Sequence, residues 1–143
     1  MKKRSIALLL LLVLLTGCGA KTEEAPWQTA YRETGKYLQE QDTLSAGSVG
    51  GEWAVIGLSR AGLLSDEAVQ SYEQAAEDYV KQADSGRLDR SKSTENSRTI
   101  LGLTAAGYNA ADVAGVDLTS GLSDMNYLRI QGLNGPIWAL IAL

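Results

Sequence analysis

"GGEWAVIGLSRAGL", Gly50 to Leu63, decides the fold, because the chain repeats it. "NSRTILGLTAAGY", Asn96 to Tyr108, places Gly102-Leu103 and Ala106-Gly107 on Gly57-Leu58 and Ala61-Gly62, an offset of 45. "GPIWALIAL", Gly135 to Leu143, places Trp138-Ala139 on Trp53-Ala54, an offset of 85. Self-similarity at 40 to 45 residues is the mark of a repeat architecture. Each segment is largely apolar and rich in small residues, as a buried helix with close neighbours would be. The first two end in glycine, at Gly62 and Gly107, where helices commonly stop. Asn134 is the expected N-cap of the third, with Pro136 at or near its first turn. Gly57, Gly102 and Ala142 are expected to admit a neighbouring helix.

More polar stretches lie between. "SDEAVQSYEQAAEDYVKQADSG", Ser65 to Gly86, offers Ser65 as N-cap with acids in its first turn. Its Val69, Tyr72, Ala76, Tyr79 and Val80 recur at spacings of three and four, which gives one dry face. Trp27, Ala30, Tyr31, Tyr37 and Leu38 outline a weaker amphipathic helix, and "LDRSKSTEN" reads as a polar loop. No stretch alternates as a half-buried strand does. The expected unit is a helix hairpin, with a buried inner helix followed by an amphipathic outer one.

The N-terminus carries a different message. Lys2, Lys3 and Arg4 precede an unbroken apolar run from Ile6 to Leu15, then Thr16 and Gly17. That is the order of a secretory signal, and the run is shorter than the about 20 residues a bilayer span needs. Leu15-Thr16-Gly17-Cys18 resembles a bacterial lipobox. The resemblance implies cleavage before Cys18 and a diacylglycerol on its sulfur, hence an extracytoplasmic protein held to a bacterial membrane by lipid. Cys18 is the sole cysteine, so no disulfide forms within the chain. With no histidine either, a Cys/His zinc site is excluded. After the cut, ten basic residues face seventeen acidic ones, a net charge of -7. Such a surface argues against nucleic acid and against docking on anionic lipid by charge.

The repeats resemble the prenyltransferase and squalene-cyclase repeat of the α/α toroids. Those cyclases carry Q-x3-G-x-W; here Gln131-x3-Gly135-x2-Trp138 is one residue longer, and Gly51-x-Trp53 lacks the glutamine. A closer likeness is to bacterial surface proteins with repeats matching Gly51-Glu52-Trp53, Thr94 to Gly107 and Asn134 to Leu143. The resemblance covers Trp27 to the end. It implies a ring of six hairpins, of which this chain has about half. The expected fold is therefore all-α: an α/α toroid fragment built from helical hairpin repeats and preceded by a lipoprotein signal peptide. Residues 1–17 are the signal, 18–26 a lipidated tether and 27–143 a partial toroid. The partial ring leaves Ile137, Leu140 and Ile141 without a covering hairpin.

Chemistry finds little support. A Ser-His-Asp triad needs histidine. The toroid cyclases use a D-x-D-D segment that this chain lacks, and Asp84, Asp89, Asp112, Asp117 and Asp124 are scattered. The sequence therefore offers no catalytic residue, metal ligand set or cofactor site. Glu52 and Glu95 lie at equivalent ends of two inner helices; acids there favour the positive end of the helix dipole, which explains them without a glycosidase-like pair. Arg98, three residues after Glu95, is placed to pair with it. Trp53 and Trp138 read as core, or as the lining of a pocket.

Two functions remain. One is a non-catalytic, membrane-anchored surface lipoprotein that binds a small molecule or cell-envelope component. The other is a cyclase- or prenyltransferase-like enzyme fragment whose catalytic part lies beyond Leu143. A ligand site is expected at the rim where the inner helices start, formed by Glu52, Trp53, Glu95, Arg98, Asn134 and Trp138.

Overall fold

The computed structural model of the protein describes residues 24–41, 44–83 and 85–143. The expected signal peptide, the lipidation site Cys18 and most of the tether lie outside the described residues. Helix α1 spans Pro26–Glu40, so the tether's last residue, Pro26, is already helical. Residues up to Ala30 belong to an N-terminal unit, and Tyr31–Leu143 form the other.

The three repeats are helices α2, Val49–Arg60, α4, Thr94–Ala106, and α6, Asn134–Ala142. The amphipathic stretch is α3, Asp66–Lys81. Among the described residues there is no strand; Val113 and Val116 form a single isolated bridge. The described residues belong to the all-α class.

The local signals act as the residues predict. Ser65 Oγ accepts the Ala68 N–H at 3.2 Å and opens α3, and Ser48 Oγ does the same for Gly51 at 3.0 Å at the head of α2. At the other ends, Gly62 and Gly107 take φ of +66° and +90°. The N–H groups that follow them, of Leu63 and Tyr108, reach back to Leu58 and Leu103, which closes both helices with left-handed glycine caps.

Helices α2 and α4 lie side by side and point the same way. Near their starts Thr99 Oγ1 donates to Glu52 Oε1 at 3.5 Å. Near their ends Ser59 Oγ donates to the Ala105 carbonyl at 2.6 Å. The order is kept along both helices, as the offset of 45 requires. Helix α6 also packs against α4. The core lies behind these helices: Val55, Tyr72, Ala76, Val80, Ile100, Leu103, Leu118, Leu122, Leu128 and Ala139. Each large apolar side chain so buried contributes about 1.5–3 kcal/mol.

Four expectations change. Asn134 is the first helical residue of α6 rather than its cap; Leu133 holds the cap position, with no side-chain bond. Gly57 admits nothing, since no atom lies within 4 Å of where its Cβ would be, whereas Gly102 sits against Tyr72 Oη and Glu52. The aromatic residues of α1 do not form a dry face; Trp27, Tyr31 and Tyr37 are exposed, and the buried point is Gly35, against Leu63. Finally, Thr94, Glu95 and Asn96, read as polar loop, are the first turn of α4.

The segment between α4 and α6 is no second α3. It holds a 3-10 turn at Thr119–Ser123, the short helix α5, Met125–Leu128, and another 3-10 turn at Arg129–Gln131. Side chains compete with the helix for backbone bonds here. Asp117 Oδ1 accepts the Thr119 N–H at 2.8 Å, Gly115 and Gly132 take positive φ, and Asp124 Oδ1, which accepts the N–H groups of Asn126 and Tyr127, caps only the one-turn α5. Such local bonds favour turns over long helices.

Candidate functional site

Two arrangements result from the packing of α2, α4 and α6: a buried charged cluster and an open groove. In the cluster Glu52 is fully buried. Its Oε1 accepts the Gly47 N–H at 2.6 Å, and its Oε2 accepts Arg98 Nε at 3.0 Å. Arg98 also donates through its NH2 group to Glu95 at 2.5 Å. The expected Arg98–Glu95 pair is thus present, and it is two-thirds of a triad. Burial pushes the Glu52 carboxyl above its ordinary value, against the pull of Arg98 and the Gly47 N–H. A buried ion pair stripped of one partner is strongly destabilising, so the triad ties α2 and its leading loop to α4. Tyr72 Oη lies buried beside it with no hydrogen-bond partner, and burial pushes that phenol far up.

The groove is bounded by different residues. Trp53 and Trp138 meet across it with ring centroids 5.5 Å apart and planes tilted by 59°, within the range aromatic pairs favour. Ile56, Leu101 and Ile141 supply apolar wall, and Ser59, Arg60 and Thr104 supply polar edge. Its volume is about 730 Å³. Trp53 is 42% exposed and so is no core residue. The reason is its register: Glu52, Ala54, Val55 and Leu58 take the buried face of α2, and Trp53 falls on the opposite one.

The six expected rim residues therefore divide. Trp53 and Trp138 line the groove. Glu52, Arg98 and Glu95 form the buried triad. Asn134 is exposed at the start of α6 and lines neither. From the tryptophans the groove extends toward the ends of the helices, at Arg60, Ala105 and Ile141, rather than along their starts.

Two residues whose structural roles the sequence does not announce hold the frame. Asn96 is fully buried. Its Oδ1 accepts the Leu88 N–H at 2.9 Å, and its Nδ2 donates to the carbonyls of Leu118, at 3.0 Å, and Gly86. It thus fastens two loops to α4. Gln131 Oε1 accepts the Thr94 N–H at 2.8 Å. Four residues on, Gly135 brings α6 against the Leu128 carbonyl and Ser93 Oγ, space that a Cβ would fill. The Gln131-Gly135-Trp138 spacing hence has three separate uses: cap, close approach and groove wall.

No group of three or more His, Cys, Asp or Glu side chains among the described residues could hold a metal ion. No helix among them is long and apolar enough to cross a membrane. No protein family, curated protein or solved structure matches this chain. The described residues define an all-α fold with an aromatic-lined groove and a buried charge cluster.

Proposed function

We propose that the chain is a non-catalytic surface lipoprotein, anchored to a bacterial membrane through Cys18, whose helices form part of an α/α toroid and bind a small ligand or cell-envelope component in the groove. The observation that carries the reading is Trp53, a large aromatic left 42% exposed where it meets Trp138 in a concave, mostly apolar wall. Ligand sites are concave, apolar surfaces with a few polar groups, and Ser59, Arg60 and Thr104 supply those groups here. The toroid part of the reading is supported by α2 and α4, which run in one direction with their repeats in register.

Two experiments test it. Solubilised envelope fractions are screened for a rise in the protein's melting temperature. A binding groove predicts a fraction that stabilises the parent but not Trp53→Ala or Trp138→Ala; equal stabilisation of all three counts against the groove. For the anchor, Cys18→Ser should shift the protein out of the membrane fraction or leave it unprocessed. A variant that matures and stays bound as the parent does would refute lipidation at Cys18.

A further inference from the structure

We propose that the hollow between the end of α3, the loop at 85–90 and α5 is a second ligand site, which holds a small phosphate monoester on Arg87 and Arg90. The hollow has a volume of about 510 Å³, and its walls include Gln82, Arg87, Leu88, Arg90, Tyr127 and Ile130. It shares no residue with the Trp53–Trp138 groove and takes none from α6. Among the described residues, its lining carries two arginines and no carboxylate.

Charge and rigidity select the ligand. From Cys18 on, ten basic residues face seventeen acidic ones, and three of the ten, Arg87, Arg90 and Lys92, fall within six positions. In an acidic chain such a cluster concentrates the attraction for an anion at one place. The neighbouring acids are engaged by the backbone: Asp89 Oδ1 accepts the N–H groups of Ser91 and Lys92, and Asp124 Oδ1 caps α5. Arg87 is held in position. Its NH2 group donates to Asp124, and its guanidinium carbon lies 4.8 Å from the centre of the Tyr127 ring. Tyr127 is itself buried and donates through Oη to the Asp89 carbonyl at 2.6 Å. A guanidinium carries five N–H donors in a fixed fork, which matches phosphate oxygens in pairs, and a group fixed in advance loses little freedom on binding. Two such groups suit a phosphate monoester, which carries about −1.5 to −2 charge at neutral pH. Leu88 and the exposed Ile130 offer an apolar wall to the organic part of the ester, so the site favours an ester over bare phosphate.

The test is isothermal titration calorimetry of the detergent-solubilised full chain with phenyl phosphate and, separately, with inorganic phosphate. Phenyl phosphate should bind saturably, one molecule per chain, and more tightly than inorganic phosphate. Arg87→Lys keeps the charge and loses the fork, and should weaken binding about tenfold. Arg90→Gln and Ile130→Glu should weaken it by at least as much. Both alter exposed side chains, so they decide the matter if Arg87→Lys melts early. Trp53→Ala should leave the affinity for phenyl phosphate unchanged, which separates this site from the groove and its failure from that of the groove. Absence of saturable binding, equal affinity for the two probes, binding indifferent to Arg90→Gln and Ile130→Glu, or a loss on Trp53→Ala would overturn the proposal.

Discussion

Gln131 Oε1 accepts the backbone N–H of Thr94 at 2.8 Å, so a residue just before α6 caps the first turn of α4. The same oxygen lies 3.4 Å from Ser93 Oγ. The start of α4 has no cap from its own Ser93, and a helix start leaves its first N–H groups without partners. Gln131→Ala should therefore cost about 0.5–2 kcal/mol, the usual loss for a cap. Gln131→Glu keeps the acceptor and adds a charge that the helix start favours, so it should cost less. Urea unfolding of the two variants checks the order; equal losses would show that the bond contributes nothing.

Asn96 should be among the least replaceable residues. Asn96→Ala leaves the Leu88 N–H and the Leu118 and Gly86 carbonyls without the partners they now have. Each orphaned buried group costs about 1–3 kcal/mol. Asn96→Asp keeps the acceptor and loses both donors, so it should be nearly as damaging. A melting temperature within a few degrees of the parent for either variant would contradict this.

The two equivalent glycines of the repeat should respond with opposite signs. At Gly57 a methyl group meets open space, and Gly57→Ala should stabilise by about 0.4–1 kcal/mol through helix propensity and chain entropy. At Gly102 it would strike Tyr72 Oη and crowd Glu52. Gly102→Ala should destabilise by about 1–3 kcal/mol, the cost of overpacking. Thermal melts of the pair give the answer directly.

Residues in aligned repeats were legible from the sequence; residues that act between repeats were not. Offset alone places Glu52 beside α4, because two helices in register bring equivalent starts together. The Arg98–Glu95 pair follows from a spacing of three. The attachment of Arg98 to Glu52, 46 residues away, depends on which face of α4 meets α2, and both faces of that helix look alike in sequence. Asn96 was hidden for a related reason. A run as polar as Ser91 to Asn96 reads as solvated loop, yet Ser93 and Asn96 are fully buried, Asn96 under the loops at Gly86–Leu88 and Leu118 and Ser93 against Leu128, Gln131 and Gly135. Trp53 misled in the other direction: aromatic residues usually go inside, and only the register set by Val55 and Leu58 turns this one out.

The pH dependence of stability should carry the mark of Glu52. Its folded carboxyl is held above the ordinary value of 4.5 by burial. Between 4.5 and that raised value the folded chain keeps a proton that the unfolded chain has released. The Glu52 contribution to stability therefore falls as pH rises through this window. Asp89, Asp117 and Asp124 act in the opposite sense. Backbone and hydroxyl donors hold them below the ordinary 3.8, so their contributions are lost as pH falls below it. Glu52→Gln should remove the decline above 4.5 and leave the acid limb in place. Urea midpoints from pH 3 to 7 would show it; parallel curves for parent and variant would refute the assignment.

Trp53 belongs to an open groove and not to the core, and the unfolding free energy of Trp53→Ala is the decisive measurement. A groove residue 42% exposed and stacked on Trp138 at 5.5 Å stands to lose an aromatic pair of about 0.5–1.5 kcal/mol and only part of the burial of a core side chain. A buried tryptophan would lose about 3–5 kcal/mol. Trp53→Ala should lose clearly less than the buried-tryptophan range with cooperative unfolding retained, whereas a loss within that range would place Trp53 in the core and remove the groove on which the proposed function rests.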